Sequence, residues 1–271
     1  MCSKVFNEKL KSLSDSFRDL LRLDGFPVAI KMLKTLDGFE KIHRPDKPLA
    51  LCQLISEARY RHRTNLATSD EMGGCWGGLA VTGLAETPPD VREGKRYAGW
   101  MHLNEEVSRK VINALPKLDV GVYKAVIISP LDVCPTTPDI VLFFGNVSQM
   151  LVLAAGYLYN KGETLTFETA GLVGCAYAVA PPIKTGKPSL VIPCNGMRLI
   201  ALPSDTDLIF SLPTNSLEET LEGIKFLRER GGPTVPTSWQ HITWETQPPL
   251  SYITDPKGPG PIWLKPRQEK S

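Results

Sequence analysis

The sequence predicts an α/β or α+β fold: one domain on a mixed β-sheet flanked by helices, plus an irregular carboxy-terminal arm. Three observations lead there. Short β-branched apolar runs (PVAIKML at 27–33, YKAVIISPL at 123–131, DIVLFFGNV at 139–147) read as buried strands. Amphipathic stretches with helical periodicity occur among them, without regular βαβ alternation. After residue 230 the pattern changes to a proline-rich segment carrying Trp239, Trp244 and Trp263, which cannot sustain a helix or a central strand. The expected organisation is a main domain over 1–230 and an extension over 231–271 that lies along its own body or a neighbouring subunit.

Taken in order, Val5, Leu10, Leu13, Phe17 and Leu20 mark an amphipathic helix over 4–23, closed by Asp24-Gly25. PVAIKML follows as a strand. Residues 49–63 read as a strand end running into a helix, and the glycine-rich stretch at 71–86 as a loop opening a second, small-residue helix. Asn104 is placed to cap a helix over 105–114, with Glu105 and Glu106 in its first turn. After the strands at 123–131 and 139–147 comes a helix at 148–162. Short strands are expected at 165–171, 189–194 and 207–214, then a helix over 217–230 capped by Ser216.

Charge excludes some functions. Thirty-one basic against 29 acidic residues give a net +2, and no basic run interleaves with aromatics, so no nucleic-acid partner is expected. The amino terminus lacks the apolar core of a signal peptide. No stretch reaches the roughly eighteen apolar residues of a membrane span. A cytoplasmic protein is expected, with thiols reduced or metal-bound. No nucleotide-binding glycine fingerprint occurs.

The chemistry concentrates in cysteines. Cys52, Cys75, Cys175 and Cys194 each sit at an element edge beside glycine, proline or a polar turn residue. Cys75 is the extreme case, set in GGCWGG among Gly73, Gly74, Gly77 and Gly78. No C-x-x-C pair is present, so local spacing supports no zinc ribbon. Two readings remain: four small buried hydrophobes, or ligands from distant loops converging on one metal centre, with Gly74, Gly77 and Gly78 giving a bulky cluster room. Cys134, in a Cys-Pro turn, reads as a structural thiol, and Cys2 is terminal.

PVAIKML, LCQLISEAR, ATSDEMGGCWGGLAVTGL, GCAYAVAPPIKTGKP and IPCNGMR, in this order, resemble domain-of-unknown-function family 169, a widespread and largely uncharacterised bacterial and archaeal family. The resemblance covers roughly residues 10–230. It implies that Cys52, Cys75, Cys175 and Cys194 recur as a set, together with Arg198, while Cys134 and the tail fall outside the pattern. The family supplies no reaction.

The resulting expectation is an iron–sulfur protein, most simply 4Fe-4S, acting as an oxygen-sensitive oxidoreductase or lyase on a small anionic molecule. Lys31, Arg198 and His102 are the polar candidates beside the metal. Three cysteines on the cluster would leave an iron open for Lewis-acid chemistry; four would close it for electron transfer or structure. The alternatives are a non-enzymatic sensor or staple holding a cluster or zinc, and a thiolate enzyme using Cys75. An electron-transfer partner and a homodimer complete the expectations. GNVSQ at 145–149 fits either an anion-binding helix start or an ordinary cap.

Overall fold

A computed structural model describes residues 2–235, with side chains from residue 6 onward. The tryptophans of the carboxy-terminal arm, and the expectation that it lies along a surface, fall outside the described residues. In chain order the elements are α1 (Cys2–Leu21), β1 (Val28–Leu33), α2 (Leu51–Arg61), β2 (Asn65–Ala67) and α3 (Trp76–Val81). There follow α4 (Pro89–Arg92), α5 (Glu105–Ala114), β3 (Ala125–Pro130), β4 (Ile140–Gly145) and α6 (Val147–Leu158). The last are α7 (Gly174–Thr185), β5 (Ser189–Val191), α8 (Asn195–Ile200), β6 (Leu208–Pro213) and α9 (Leu217–Glu229).

The strands form one six-stranded sheet in the order β2-β3-β1-β4-β6-β5. The expected helix-flanked sheet is present, but each strand pairing is antiparallel, so it is not of mixed direction. Side chains alternate between its faces. Val28, Ile30 and Met32 of β1 point into a core shared with α2, α3, α7 and α8. Ala29 of β1, with Val141 and Phe143 of β4, joins a second core under α1, α6 and α9. The sheet is thus covered on both faces, which explains why β4 is a continuous apolar run and β1 and β3 are nearly so, interrupted at Lys31 and Ser129.

Local chemistry sets the ends. Asn104 Oδ1 accepts the Val107 amide at 3.0 Å, capping α5 as expected. Asn146 and Gln149 form a reciprocal capping box on α6, so GNVSQ is occupied as a cap. Ser216 stands at the start of α9 but makes no side-chain cap bond. The strand expected over 165–171 is absent: Leu165 and Phe167 pack their side chains on the second core while the backbone stays out of the ladder. The strand expected to 194 ends at Val191, and a loop carries the chain on to Cys194.

The least expected element is α7, which contains Pro181 and Pro182. Each proline deletes a helical amide, freeing the carbonyl four residues earlier, at Tyr177 and Ala178. Those two carbonyls accept the hydroxyls of Ser189 in β5 at 2.7 Å and Ser211 in β6 at 2.6 Å. The residues that break the helix internally therefore tie it to the sheet. On the same side Arg59 of α2, 2% exposed, is held by Asp207 and Asp24 at 2.6 Å each, and its guanidinium stacks on Phe144. No described helix is long and apolar enough to cross a membrane.

Ser189→Ala and Ser211→Ala each leave a buried carbonyl unsatisfied. Each is expected to cost about 1–3 kcal/mol in urea unfolding, with losses that are not additive because the bonds share one helix. A second prediction concerns Cys134 in the α1-side core. Burial pushes its thiol from 9.0 up to about 11, against a weaker opposing hydrogen bond from the Thr136 backbone and the attraction of Lys31. A folded value above the unfolded one gives stability that is complete below pH 9.0 and is lost as pH rises towards 11. Between those limits the wild type should lose on the order of 2 kcal/mol more than Cys134→Ala in matched denaturation series.

Candidate metal-binding site

Four helix starts meet on the α2/α7 side of the sheet. Cys52 and Cys175 are second residues of α2 and α7, while Cys75 and Cys194 are the cap residues immediately before α3 and α8. Neither cap thiol is spent on a capping bond. All four line one cavity of about 290 Å³. Cys175 is the most deeply enclosed, Cys52 is buried, and Cys75 and Cys194 are half-buried towards the mouth.

Close backbone approach makes the convergence possible. A side chain at Gly174 would meet the Ile192 carbonyl at 3.0 Å and the Cys194 amide at 3.2 Å, so this glycine lets α7 start against the Cys194 loop. At Gly77 a Cβ would strike Val173 at 2.7 Å, and at Gly78 it would strike Leu51 at 2.7 Å. These two glycines seat α3 against α2 and the start of α7. Gly74 differs: it lines the cavity, with nothing within 4 Å of where its side chain would begin. Val173, at the cavity wall, holds φ +47°, a left-handed conformation that costs a β-branched residue roughly 1–3 kcal/mol.

The electrostatics follow from this geometry. Burial, reinforced by Cys75 and Cys194, pushes the Cys52 thiol up to about 12. Burial pushes Cys175 well above the ordinary thiol range, with repulsion from Cys75, Cys194 and Cys52 adding to it. The amides of Cys52 and Gln53 oppose the rise at Cys52, as does the Cys175 amide at its own sulfur. These are first-turn N–H groups, which favour negative charge, although that of Gln53 also donates to the Ala50 carbonyl at 2.9 Å. Four cysteines on one cavity, with first-turn amides at Cys52 and Cys175, fit a group larger than one ion. Among the described residues no three His, Cys, Asp or Glu side chains are gathered tightly enough to grip a single metal ion. The four cysteines line one cavity instead.

Apart from Asn195, the remaining lining is largely apolar. Tyr97, Trp100 and Met101 form one wall, Leu172 and Val173 another, and Leu199 and Ile200 flank the mouth. Tyr97 Oη accepts the Trp76 indole N–H at 2.7 Å, fixing that wall to α3. Among the described residues no lysine, arginine, histidine or carboxylate lines the cavity.

The three polar candidates therefore lie elsewhere. Arg198 turns away to Asp205 at 3.2 Å. His102 does not line the cavity; its amide bonds the Tyr97 carbonyl at 3.0 Å, and its buried Nδ1 has no partner. Lys31 pairs with Asp139 at 2.7 Å and lines a different groove. What sequence reasoning missed is the aromatic wall; the run GWMHL was read only for its histidine.

The family model of DUF169, described as an uncharacterised ArCR family, matches residues 16–223, and the chain belongs to this family. An uncharacterized protein of Methanocaldococcus jannaschii is 28% identical over 228 residues, covering 82% of this chain and 96% of that protein. No solved structure matches.

Gly78→Val is expected to wedge α3 off Leu51 and destabilise the fold by about 1–3 kcal/mol, read as a lower urea midpoint.

Proposed function

We propose that this DUF169 protein binds a 4Fe-4S cluster through Cys52, Cys75, Cys175 and Cys194 and uses it for electron transfer or as a redox-responsive structural centre. One observation carries the reading: four cysteines from four separate helix starts line a single cavity. Cluster sulfurs are bound by thiolates and accept backbone N–H bonds, and the potential of such a cluster is set by charge, hydrogen bonding and exposure. The eleven- and twelve-residue helices α2 and α7 add the positive ends of their dipoles. The shorter α3 and α8 contribute first-turn amides. When bound, the cluster would supply one-electron chemistry; the chain's own residues enclose it, exclude water and hold its ligands apart.

Four cysteines on one cavity favour a closed cluster over one with an open iron. The lining also argues against lyase chemistry on an anion at this cavity, since no cationic side chain is there to receive it. The thiolate-enzyme reading lacks a base for the same reason. Zinc fits less well, because a tetrahedral ion needs its sulfurs drawn to about 2.3 Å. Exposed Trp100 and Leu199 flank the mouth and suit the approach of a protein redox partner. A reducing cytoplasm is the compartment such thiols need.

Anaerobic purification tests the reading. The expected product is brown, absorbs broadly near roughly 400 nm and yields about four irons and four sulfides per chain. Cys52→Ser, Cys75→Ser, Cys175→Ser and Cys194→Ser should each lower the iron content, whereas Cys134→Ser should retain it. Colourless protein with one zinc per chain, or iron unaffected by these substitutions, overturns it.

A further inference from the structure

A groove of about 920 Å³ lies away from the cysteines, at the end of β1. Its walls are largely apolar, with Leu10 and Leu13 from α1, Phe39 and Tyr123 from loops, and Pro182 and Ile183 from the far end of α7, while Thr214 and Asn215 add polar groups at one side. Lys31 also lines it. This lysine sits on a central strand, half-buried at 29% side-chain exposure, a costly place for an ammonium without a purpose or a partner.

Asp139 is the partner, and it is itself fixed. One carboxylate oxygen takes Lys31 Nζ at 2.7 Å and the other takes the Met32 amide at 2.7 Å. The pair thus holds the ammonium in place while using one of its three donors. Lys34 lines the same groove and forms no ion pair among the described residues. The only other charges lining it, Lys9 and Glu218, neutralise each other at 2.7 Å. Three cations against two anions leave one positive charge in an apolar trough.

We propose that this groove is a second ligand site, independent of the cluster, which takes a small organic monoanion with an apolar body, such as a medium-chain carboxylate. The carboxylate would accept the donors of Lys31 left free by Asp139, with Lys34 adding attraction, while the hydrocarbon covers Leu10, Leu13 and Ile183. Charge-assisted bonds in a partly dry site are the strong ones, and the groove's size is that of ordinary small-molecule sites.

Calorimetric titration of octanoate into the full-length protein tests this, with octanamide as the uncharged control. Saturable binding at one site per chain is expected, at least tenfold tighter for octanoate than for octanamide. Lys31→Met/Asp139→Leu, which removes both charges together, should weaken octanoate at least tenfold without affecting octanamide. Should that variant not fold, Lys34→Glu reverses an exposed charge and should weaken octanoate several-fold, more so at low salt. Absence of saturable binding, equal affinity for the two probes, or octanoate affinity unchanged in the variant that folds overturns the proposal. Iron and sulfide are assayed on the same samples, so this site and the cluster can fail separately.

Discussion

The arrangement depends on how α7 is held. Two adjacent prolines remove two helical hydrogen bonds, and the freed carbonyls of Tyr177 and Ala178 are taken by serine hydroxyls from β5 and β6. A buried carbonyl without a donor is costly, so the helix has one favourable seat on the sheet rather than a range of them. Its neighbours are then placed from it. Gly174 brings the Cys194 loop against its first turn, and Val173 meets α3 at Gly77. The Arg59 cluster performs a similar service for α2, joining it to Asp24 before β1 and Asp207 before β6.

With α2 and α7 seated, the position of each sulfur follows from helix geometry rather than from local loop structure. First-turn amides are the one set of backbone donors a helix cannot satisfy itself. Bringing four such turns together creates a region that favours negative charge without using a single basic side chain. That explains how a cavity walled by Tyr97, Trp100, Leu172 and Ile200 can still suit an anionic inorganic group. Basic side chains are instead engaged elsewhere: Arg198 with Asp205, Lys31 with Asp139. The two sites sit towards opposite ends of α7, Cys175 and Ile183 being eight residues or about 12 Å apart along its axis.

Much of this was legible in the sequence where a local rule governs. The period of α1, the Asn104 cap of α5 and the apolar runs of β1, β3, β4 and β6 each report a local preference that tertiary structure did not override. The failures have a common cause. No helix is expected over 174–185, since the serines that rescue the carbonyls freed by Pro181 and Pro182 are 12 and 33 residues from the acceptors. Leu165 and Phe167 alternate as a strand would, yet the alternation serves packing. β2, three residues long and wholly buried, has no pattern to read. The four cysteines stood out by their glycine and turn neighbours, which are the residues that open helices and permit close approach. Spacing carried no such signal, since each comes from a different element. The partner of Lys31 is 108 residues away, which explains why its role as half of a fixed pair stayed hidden.

The separation of the cysteines along the chain also dictates an order of assembly. Cys52 and Cys194 are contributed by α2 and by the turn before α8, with most of the sheet between them in sequence. The sulfur-lined chamber therefore has no local precursor: it comes into being only when nearly all of the domain has emerged and packed. A nascent chain would offer a metallating factor nothing but scattered thiols. If the proposed cluster is bound, such a factor would have to act late, on a finished fold, from the side where Cys75 and Cys194 remain partly exposed.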